Sequence, residues 1–242
     1  ERHDGEAATT EDFICAMEQA NGVDLQQFRN WYSQAGTPQI EARGSYDEQR
    51  QCYSLTLKQQ TPATPGQLEK LPLSIPVKFA LLDQNGNPLP LQLSGEERAK
   101  GLERVVVLDE SEKEFLFIHI EERPIPSLLR GFSAPVKLEI DYSDAELAFL
   151  MAHDNDDFNR WDAGQQLGLR VIQRLMESGK GGDELELDER LSAAFAATLK
   201  NRDLDPALAA EALSLPEEEY LAEHQVVVDP VQIHEIRQLL KR

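Results

Sequence analysis

Residues 52–58 read Cys-Tyr-Ser-Leu-Thr-Leu-Lys, and apolar side chains alternate with polar ones along this stretch. Successive side chains of a β-strand point to opposite faces, so this alternation is typical of a strand with one buried face. Residues 77–81 repeat the pattern with Val77, Phe79 and Leu81. Both stretches therefore predict half-buried strands.

Further strand patterns surround these two stretches between about residues 37 and 141. They lie at residues 89–93, 105–108, 115–120 and 136–140. Gln84-Asn85-Gly86-Asn87 is a strong hairpin-turn signal between the apolar stretches on either side of it. About seven short strands in about 100 residues predict an all-β sandwich of the immunoglobulin or fibronectin type.

The residues before the sandwich predict a short helical N-terminal piece. We expect Thr10 to cap one helix and Asp24 to cap a second, shorter one. The apolar faces of the two helices are formed by Phe13, Ala16, Met17 and Ala20, and by Leu25, Phe28, Trp31 and Tyr32. Two helices of this size cannot form a core of their own, so we expect these faces to lack a partner within this chain.

The residues after the sandwich predict an all-α part. Ser143 and Asp188 are candidate N-caps, and Asp205-Pro206 and Asp229-Pro230 each combine an N-cap with a proline at the first helical position. The predicted inward residues are Leu147, Leu150 and Met151, then Phe158, Trp161, Val171, Ile172, Leu175 and Met176, then Leu191, Ala194, Phe195 and Leu199. Glu211 and Glu235 follow the two Asp-Pro pairs at the same offset, which suggests a solenoid-like helical repeat. The fold class is thus mixed and multidomain.

Composition limits the partners that the chain can have. The formal net charge is −20, from 24 basic and 44 acidic residues. Such a surface repels phosphate backbones and anionic lipid, so we expect neither nucleic acid nor membrane as a partner. No apolar run approaches the roughly 20 residues that a spanning helix requires. The two cysteines, Cys15 and Cys52, are expected to be free thiols in a reducing cytoplasm.

Two catalytic motifs begin in this sequence and then fail. His234-Glu235 starts like the zinc motif H-E-x-x-H, but the second ligand position is Gln238. Residues 131–135 start like the nucleophile elbow G-x-S-x-G, but the final glycine is Pro135, and a strand pattern rather than a helix pattern follows. We therefore expect His234 to lie on an ordinary polar helix face and Ser133 in a loop.

Other polar clusters also have structural interpretations. Residues 154–157 (Asp-Asn-Asp-Asp) lack the glycine and glutamate spacing of a calcium loop and fit a helix N-terminus, although a weak cation site stays open there. Residues 178–182 fit a helix C-cap better than a phosphate loop, and Glu217–Glu219 fit the first turn of a helix. The remaining histidines have no metal-ligand spacing; they are His3, His119, His153 and His224. His119 is expected within a strand. The sequence thus predicts no catalytic, metal-binding or substrate-binding residue.

Four stretches resemble bacterial aminopeptidase N, and they occur in that family's order. They are WYSQAGTP at 31–38, PSLLRGFSAPVKL at 126–138, FLM at 149–151 followed by His153 and NDDFNRWDA at 155–163, and DPALAAE at 205–211. The resemblance implies a parent of four domains, with a catalytic zinc domain before the sandwich. Residues 1–36 would be the last helices of the catalytic domain, 37–141 the sandwich domain and 142–242 the start of the C-terminal helical domain.

The resemblance also implies which chemistry is missing from this chain. The family's H-E-x-x-H, its downstream glutamate ligand and its G-x-M-E-N motif have no counterpart here. Residues 15–19 (Cys-Ala-Met-Glu-Gln) are similar to G-x-M-E-N, but they lack its glycine and asparagine. Zinc is therefore expected in the parent only, with a glutamate as general base. The implied partners are the other domains of the parent and its peptide substrates.

Three hypotheses follow from these observations. The first is a non-catalytic segment cut from a larger zinc aminopeptidase, which also fits a chain that begins at Glu1 and ends at Arg242 within a helical pattern. The second is a stand-alone binding or adaptor protein, which includes a mature protein whose leader has been removed. The third is a hydrolase in its own right, which the failed motifs disfavour.

Overall fold

The computed structural model describes residues 4–178 and 188–241, and it confirms the mixed, multidomain fold class. The N-terminal piece contains α1 (Thr10–Asn21), a 3-10 turn (Gln27–Arg29) and α2 (Asn30–Ser33). The cap of α1 is Thr9 rather than Thr10, because the Thr9 hydroxyl accepts from the Asp12 N–H and the Asp12 carboxylate accepts from the Thr9 N–H.

The two N-terminal apolar faces differ in what covers them. Phe13 and Met17 are 58% and 42% exposed, so the first face has little cover within the described residues. Trp31 instead packs against the sandwich core, and its indole Nε1 donates to the Ser74 carbonyl at 3.0 Å. The expectation that the Trp31 helix lacks a partner was therefore wrong, and Tyr32, predicted to face inward, is exposed.

Seven strands form two packed sheets in the described part of the chain. They are β1 (Gln39–Asp47), β2 (Cys52–Gln60), β3 (Ile75–Leu82), β4 (Arg104–Leu108), β5 (Glu112–Ile118), β6 (Ile125–Leu128) and β7 (Lys137–Ile140). One sheet has the order β5-β2-β1-β7 and the other β4-β3-β6. Only β1 and β7 pair in parallel, and the core between the sheets includes Leu55, Phe79 and Phe117, which are fully buried.

Two strand expectations needed correction. Residues 89–93 form only isolated bridges, since Pro88 and Pro90 lack the N–H groups that a ladder requires, although Leu91 is fully buried. β5 ends at Ile118, and the next residue, His119, has φ +61° and so lies outside the strand. The strands β1 and β6 had no individual prediction.

Six helices follow the sandwich within the described residues. They are α3 (Asp144–His153), α4 (Asp157–Ser178), α5 (Glu189–Lys200), α6 (Pro206–Ala212), α7 (Glu218–Glu223) and α8 (Pro230–Leu240). The predicted N-caps Ser143, Asp188, Asp205 and Asp229 all accept backbone N–H bonds at helix starts. None of the described helices is long and apolar enough to cross a membrane.

One predicted helix face is displaced by a residue. Leu199 of α5 is 73% exposed, whereas its neighbour Thr198 is fully buried and donates to the Met151 carbonyl at 3.2 Å. A threonine can replace an apolar residue at the α3–α5 contact because its hydroxyl finds a backbone acceptor there. The core of this part comprises α3, α4 and α5, and its members include Leu82 of β3, so the helices pack directly on the sandwich.

Candidate functional site at the junction of the sandwich and the helices

The residues of the failed catalytic motifs lie in unrelated places. His234 is on the exposed face of α8, and its Nδ1 lies 2.8 Å from Glu218 Oε1. The Ser133 hydroxyl accepts from the Lys78 N–H at 3.0 Å and donates to the Pro76 carbonyl at 3.1 Å, which ties its loop to β3. Ser178 ends α4, and residues 179–182 lie outside the described residues.

No grouping typical of a metal site occurs in the described ranges. Within residues 4–178 and 188–241, no three His, Cys, Asp or Glu side chains are grouped as metal ligands would be. Glu217–Glu219 lie at the start of α7, as a solvated first turn would. The residues at hand therefore do not fit zinc.

The most unusual arrangement is a buried guanidinium where the sandwich meets the helices. Arg130 is only 2% exposed and follows β6. Its Nη1 donates to Ser127 Oγ at 2.7 Å and to Asp154 Oδ1 at 2.9 Å. Its Nε donates to Glu103 Oε1 at 2.9 Å, and its Nη2 donates to the Asn155 side chain. One side chain thus connects two sandwich residues to the loop between α3 and α4, and we call this set the junction network.

The backbone that presents Arg130 is strained. Leu129 and Phe132 have φ values of +55° and +52°, in the left-handed region that non-glycine residues avoid. Gly131, between them, has φ +60°, and its N–H donates to Asp156 Oδ2 at 2.8 Å. Such strain persists only where the surrounding contacts fix the conformation, and the junction network provides those contacts.

The acidic run that left a cation site open is part of this junction. Asp154 is fully buried against Arg130, Asp156 accepts from the Asn159 N–H at 3.0 Å, and Asp157 is the first residue of α4. Burial raises the pKa of Asp154, while Ser127, Asp156 and Arg130 oppose the rise. The Arg130 guanidinium and the Asp156 N–H both bind Asp154 Oδ1, while the buried Oδ2 has no hydrogen-bond partner among the described residues.

Two further side chains form hydrogen bonds across the same junction. Asn159 Nδ2 donates to Ser127 Oγ and to the Leu128 carbonyl, both at 2.8 Å. Arg160 Nη1 donates to the carbonyls of Met151 and Ala152 at the end of α3, at 2.9 and 2.8 Å. These bonds satisfy backbone groups that a helix end or strand end would leave open. The arrangement holds the two structural units together.

A groove runs beside the junction network. Its volume is about 710 Å³, and it lies between the β6–β7 region and the helices α4 and α7. Side chains that line it include Phe132, Glu139, Phe158, Asp162, Tyr220 and Glu223. It is the second notable feature of this region, and its position gives it walls from both structural units.

Sequence reasoning did not single out Arg130 or Asp162. Arg130 stands in the apolar run Leu128–Phe132, and a lone arginine in such a run is a signal for a buried, paired charge. Asp162 has no comparable signal, because an acidic residue in a helix is most often on the solvent face.

Two domain families match this chain in series. Residues 36–141 match a domain of unknown function, DUF3458, described as having an Ig-like fold. Residues 144–242 match the companion domain DUF3458_C, described as ARM repeats. These descriptions agree with the sandwich and with the solenoid-like helices.

Full-length relatives carry the name aminopeptidase N. The chain is 45% identical over 242 residues to Aminopeptidase N of Escherichia coli and 43% identical over 228 residues to that of Haemophilus influenzae. It is 39% identical over 241 residues to Aminopeptidase N of Caulobacter vibrioides. The alignments cover 94–100% of this chain but only 26–27% of each relative.

A solved structure has the same fold over nearly the whole chain. A crystal structure of Legionella pneumophila aminopeptidase A in complex with aspartic acid matches 98% of the chain and 25% of its own length, with a TM-score of 0.77 and 33% identity. The resemblance to bacterial aminopeptidase N is therefore confirmed. The chain is related to a non-catalytic segment that spans about a quarter of the curated relatives.

Proposed function

We propose that this chain is a non-catalytic segment of a zinc-dependent aminopeptidase that releases N-terminal amino acids from peptides. Residues 1–36 would end the catalytic domain, residues 37–141 would form a spacer, and residues 142–242 would begin the helical domain that covers the active site. The observation that carries the proposal is 45% identity along the entire chain to about a quarter of an aminopeptidase N. The zinc and its ligands would lie elsewhere in the longer protein.

The junction network supports the role of a rigid spacer. A helical cover restricts access to an active site only if its position relative to the catalytic domain is fixed. Arg130 crosses from the sandwich to the helical part with donors to Glu103, Asp154 and Asn155, and it is almost fully buried. Charge-assisted bonds of this kind have defined geometry and resist reorientation of the two parts.

The exposed face of α1 supports a contact with the rest of a catalytic domain. Phe13 and Met17 are open to solvent on a helix that ion pairs hold in place, with Arg29 Nη1 2.8 Å from Glu18 Oε1 and Arg29 Nη2 2.6 Å from Glu11 Oε1. An apolar face on a fixed helix is a surface for a protein partner. The remaining domains of the parent are that partner in our proposal, and Cys15 and Cys52, both free thiols, favour a cytoplasmic location.

The coding sequence upstream of Glu1 tests the proposal directly. We expect an open frame that encodes H-E-x-x-H and a downstream glutamate ligand. The 242-residue chain alone should not hydrolyse an aminoacyl chromogenic amide, with or without added zinc. A start codon immediately upstream would contradict the segment proposal, and turnover by the pure chain would contradict its non-catalytic role.

A variant at α1 tests the docking surface separately. Phe13→Asp should lower the melting temperature of the longer enzyme, because it would bury a charge in an apolar interface. The same change should leave the 242-residue chain nearly unaffected. Val105→Asp is the matched control, since Val105 is equally exposed, at 58%, but lies on the sandwich. Equal effects of the two variants in the longer enzyme would refute the docking surface.

The alternative is a stand-alone binding or adaptor protein. The sandwich core is complete in this chain, and the groove beside the junction is open, so a binding module is physically reasonable. A start codon immediately upstream of Glu1 and a monomeric, stable chain would favour it over the segment proposal.

A further inference from the structure

Asp162 on α4 is a partly buried carboxylate with no cation beside it. It accepts one hydrogen bond, from Gln166 Nε2 at 2.8 Å, and no Lys, Arg or His nitrogen of residues 4–178 and 188–241 is within 4.0 Å of it. Burial raises the pKa of Asp162, and the bond from Gln166 only partly opposes this. Carboxylates removed from water are ordinarily paired with a cation, so the site lacks one half of an ion pair.

The groove that Asp162 lines has aromatic walls from both structural units. Phe132 comes from the loop before β7 and Phe158 from α4, and their ring centroids are 5.4 Å apart. Phe158 and Asp162 are four residues apart on α4, so they lie on the same helix face. Tyr220 of α7 also lines the groove, and burial raises the pKa of its hydroxyl, with a further contribution from the negative charge of Asp162.

The other charged groups of the groove leave an excess of negative charge. Glu139 and Glu223 add two carboxylates to Asp162. Of the basic groups, Arg170 is engaged elsewhere, because its Nη1 donates to the Tyr142 carbonyl at 2.7 Å and to Asp144 at 3.2 Å. Lys137 also lines the groove and is exposed to solvent, and the His224 imidazole lines it as well. The net charge of −20 adds a field that attracts cations to this groove.

We propose that the groove binds a short basic peptide, with a lysine or arginine side chain paired to Asp162. The aliphatic stem of that side chain would pack against Phe132 and Phe158, whose ring faces also attract the cationic head. A volume of about 710 Å³ is in the range of pockets that hold ligands of this size. The proposal rests on residues of this chain and goes beyond the zinc-dependent peptide cleavage proposed for the longer enzyme.

A titration of the 242-residue chain tests the site. The probe is the capped tripeptide Lys-Phe-Lys, followed by calorimetry and by NMR, and the comparison peptides are Gln-Phe-Gln and Glu-Phe-Glu. We expect only the basic peptide to bind, and we expect salt to weaken its binding. Asp162→Asn should weaken binding about tenfold or more, because it removes a charge-assisted bond while it keeps the side-chain shape.

Matched variants make the test decisive. Asp203→Asn makes the same chemical change on an exposed residue outside the groove and should leave affinity unchanged. Phe132→Ala removes a ring that is 53% exposed, so it should fold normally and still weaken binding about threefold or more. If the unmodified 242-residue chain, Asp162→Asn and Phe132→Ala all bind the basic tripeptide with equal affinity, the proposal is overturned. Equal binding of the neutral tripeptide, or displacement of the basic one by millimolar Ca²⁺, would also overturn it.

Discussion

Asp154 and Asp162 lie eight residues apart and both have a raised pKa, yet Asp154 is fully buried and Asp162 only partly, and their surroundings differ. Asp154 has the Arg130 guanidinium at 2.9 Å and is closed off from solvent. Asp162 accepts from an amide donor and lines a groove that also contains aromatic side chains and is open to solvent. An aspartate therefore belongs to a fixed contact between the sandwich and the helices in one region, and lines an open groove in the other.

The difference indicates that the junction network stabilises the fold and that the groove binds a ligand. A buried charge with its partner in place stabilises one geometry, and loss of the partner is costly. A shielded charge without a partner costs stability in the free protein and is relieved when a ligand supplies the opposite charge. On these grounds the junction network is structural and the groove is a binding site, and variants in each region should behave differently.

The largest effect is expected from Arg130→Met. This variant leaves the Asp154 carboxylate buried without its cation, so we expect the free energy of unfolding to fall by about 3–5 kcal/mol. Denaturation in urea, followed by circular dichroism, measures the loss. Arg130→Met combined with Asp154→Asn removes both charges and should recover at least half of it.

The control for this variant is Arg43→Met. Arg43 is paired with Glu41, but its side chain is 77% exposed, so the free energy of unfolding should hardly change. Similar losses for Arg130→Met and Arg43→Met would show that burial of the junction network does not determine its contribution.

A smaller loss is expected from Asn159→Ala in the same junction. Asn159 donates to Ser127 and to the Leu128 carbonyl, and the variant leaves these buried acceptors with fewer donors. We expect a loss of about 1–3 kcal/mol. Urea denaturation again provides the measurement, and a loss as large as that of Arg130→Met would contradict the central place of Arg130.

The smallest effect, and one of opposite sign, is expected from Asp162→Asn. Because burial raises the folded-state pKa of Asp162 above its unfolded value, the ionised form is disfavoured in the fold. The variant should therefore be slightly more stable at neutral pH, by less than about 1 kcal/mol. The gain should shrink as the pH falls through the raised pKa and should vanish below the ordinary aspartate pKa, where Asp162 is neutral in both the folded and the unfolded state.

Melting curves of Asp162→Asn and of the unmodified 242-residue chain, recorded between pH 7 and pH 4, test whether the variant is the more stable of the two. A variant that is less stable than the parent at pH 7 would indicate a cation partner for Asp162 and would remove the contrast with Asp154.

Much of the fold could be predicted from local pattern. The alternation at residues 52–58 and 77–81 identified β2 and β3, and the caps Ser143, Asp188, Asp205 and Asp229 marked the starts of four helices. Stretches such as residues 126–138 further identified the aminopeptidase N relatives. These signals are local because strand period, capping and short motifs depend on neighbours in the chain.

The junction network and the groove depend on tertiary structure. Arg130 meets Asp154 across 24 residues, and Phe132 meets Phe158 across 26, so neither pair has a sequence period that could reveal it. Tertiary packing also determined which helix faces are covered. Trp31 packs against the sandwich core, whereas Phe13 is exposed. The sequence by itself determined the elements and the family relationship. Only the packing of the two parts decided which charges are paired and which remain open, because the desolvation of a charge is a property of its three-dimensional surroundings.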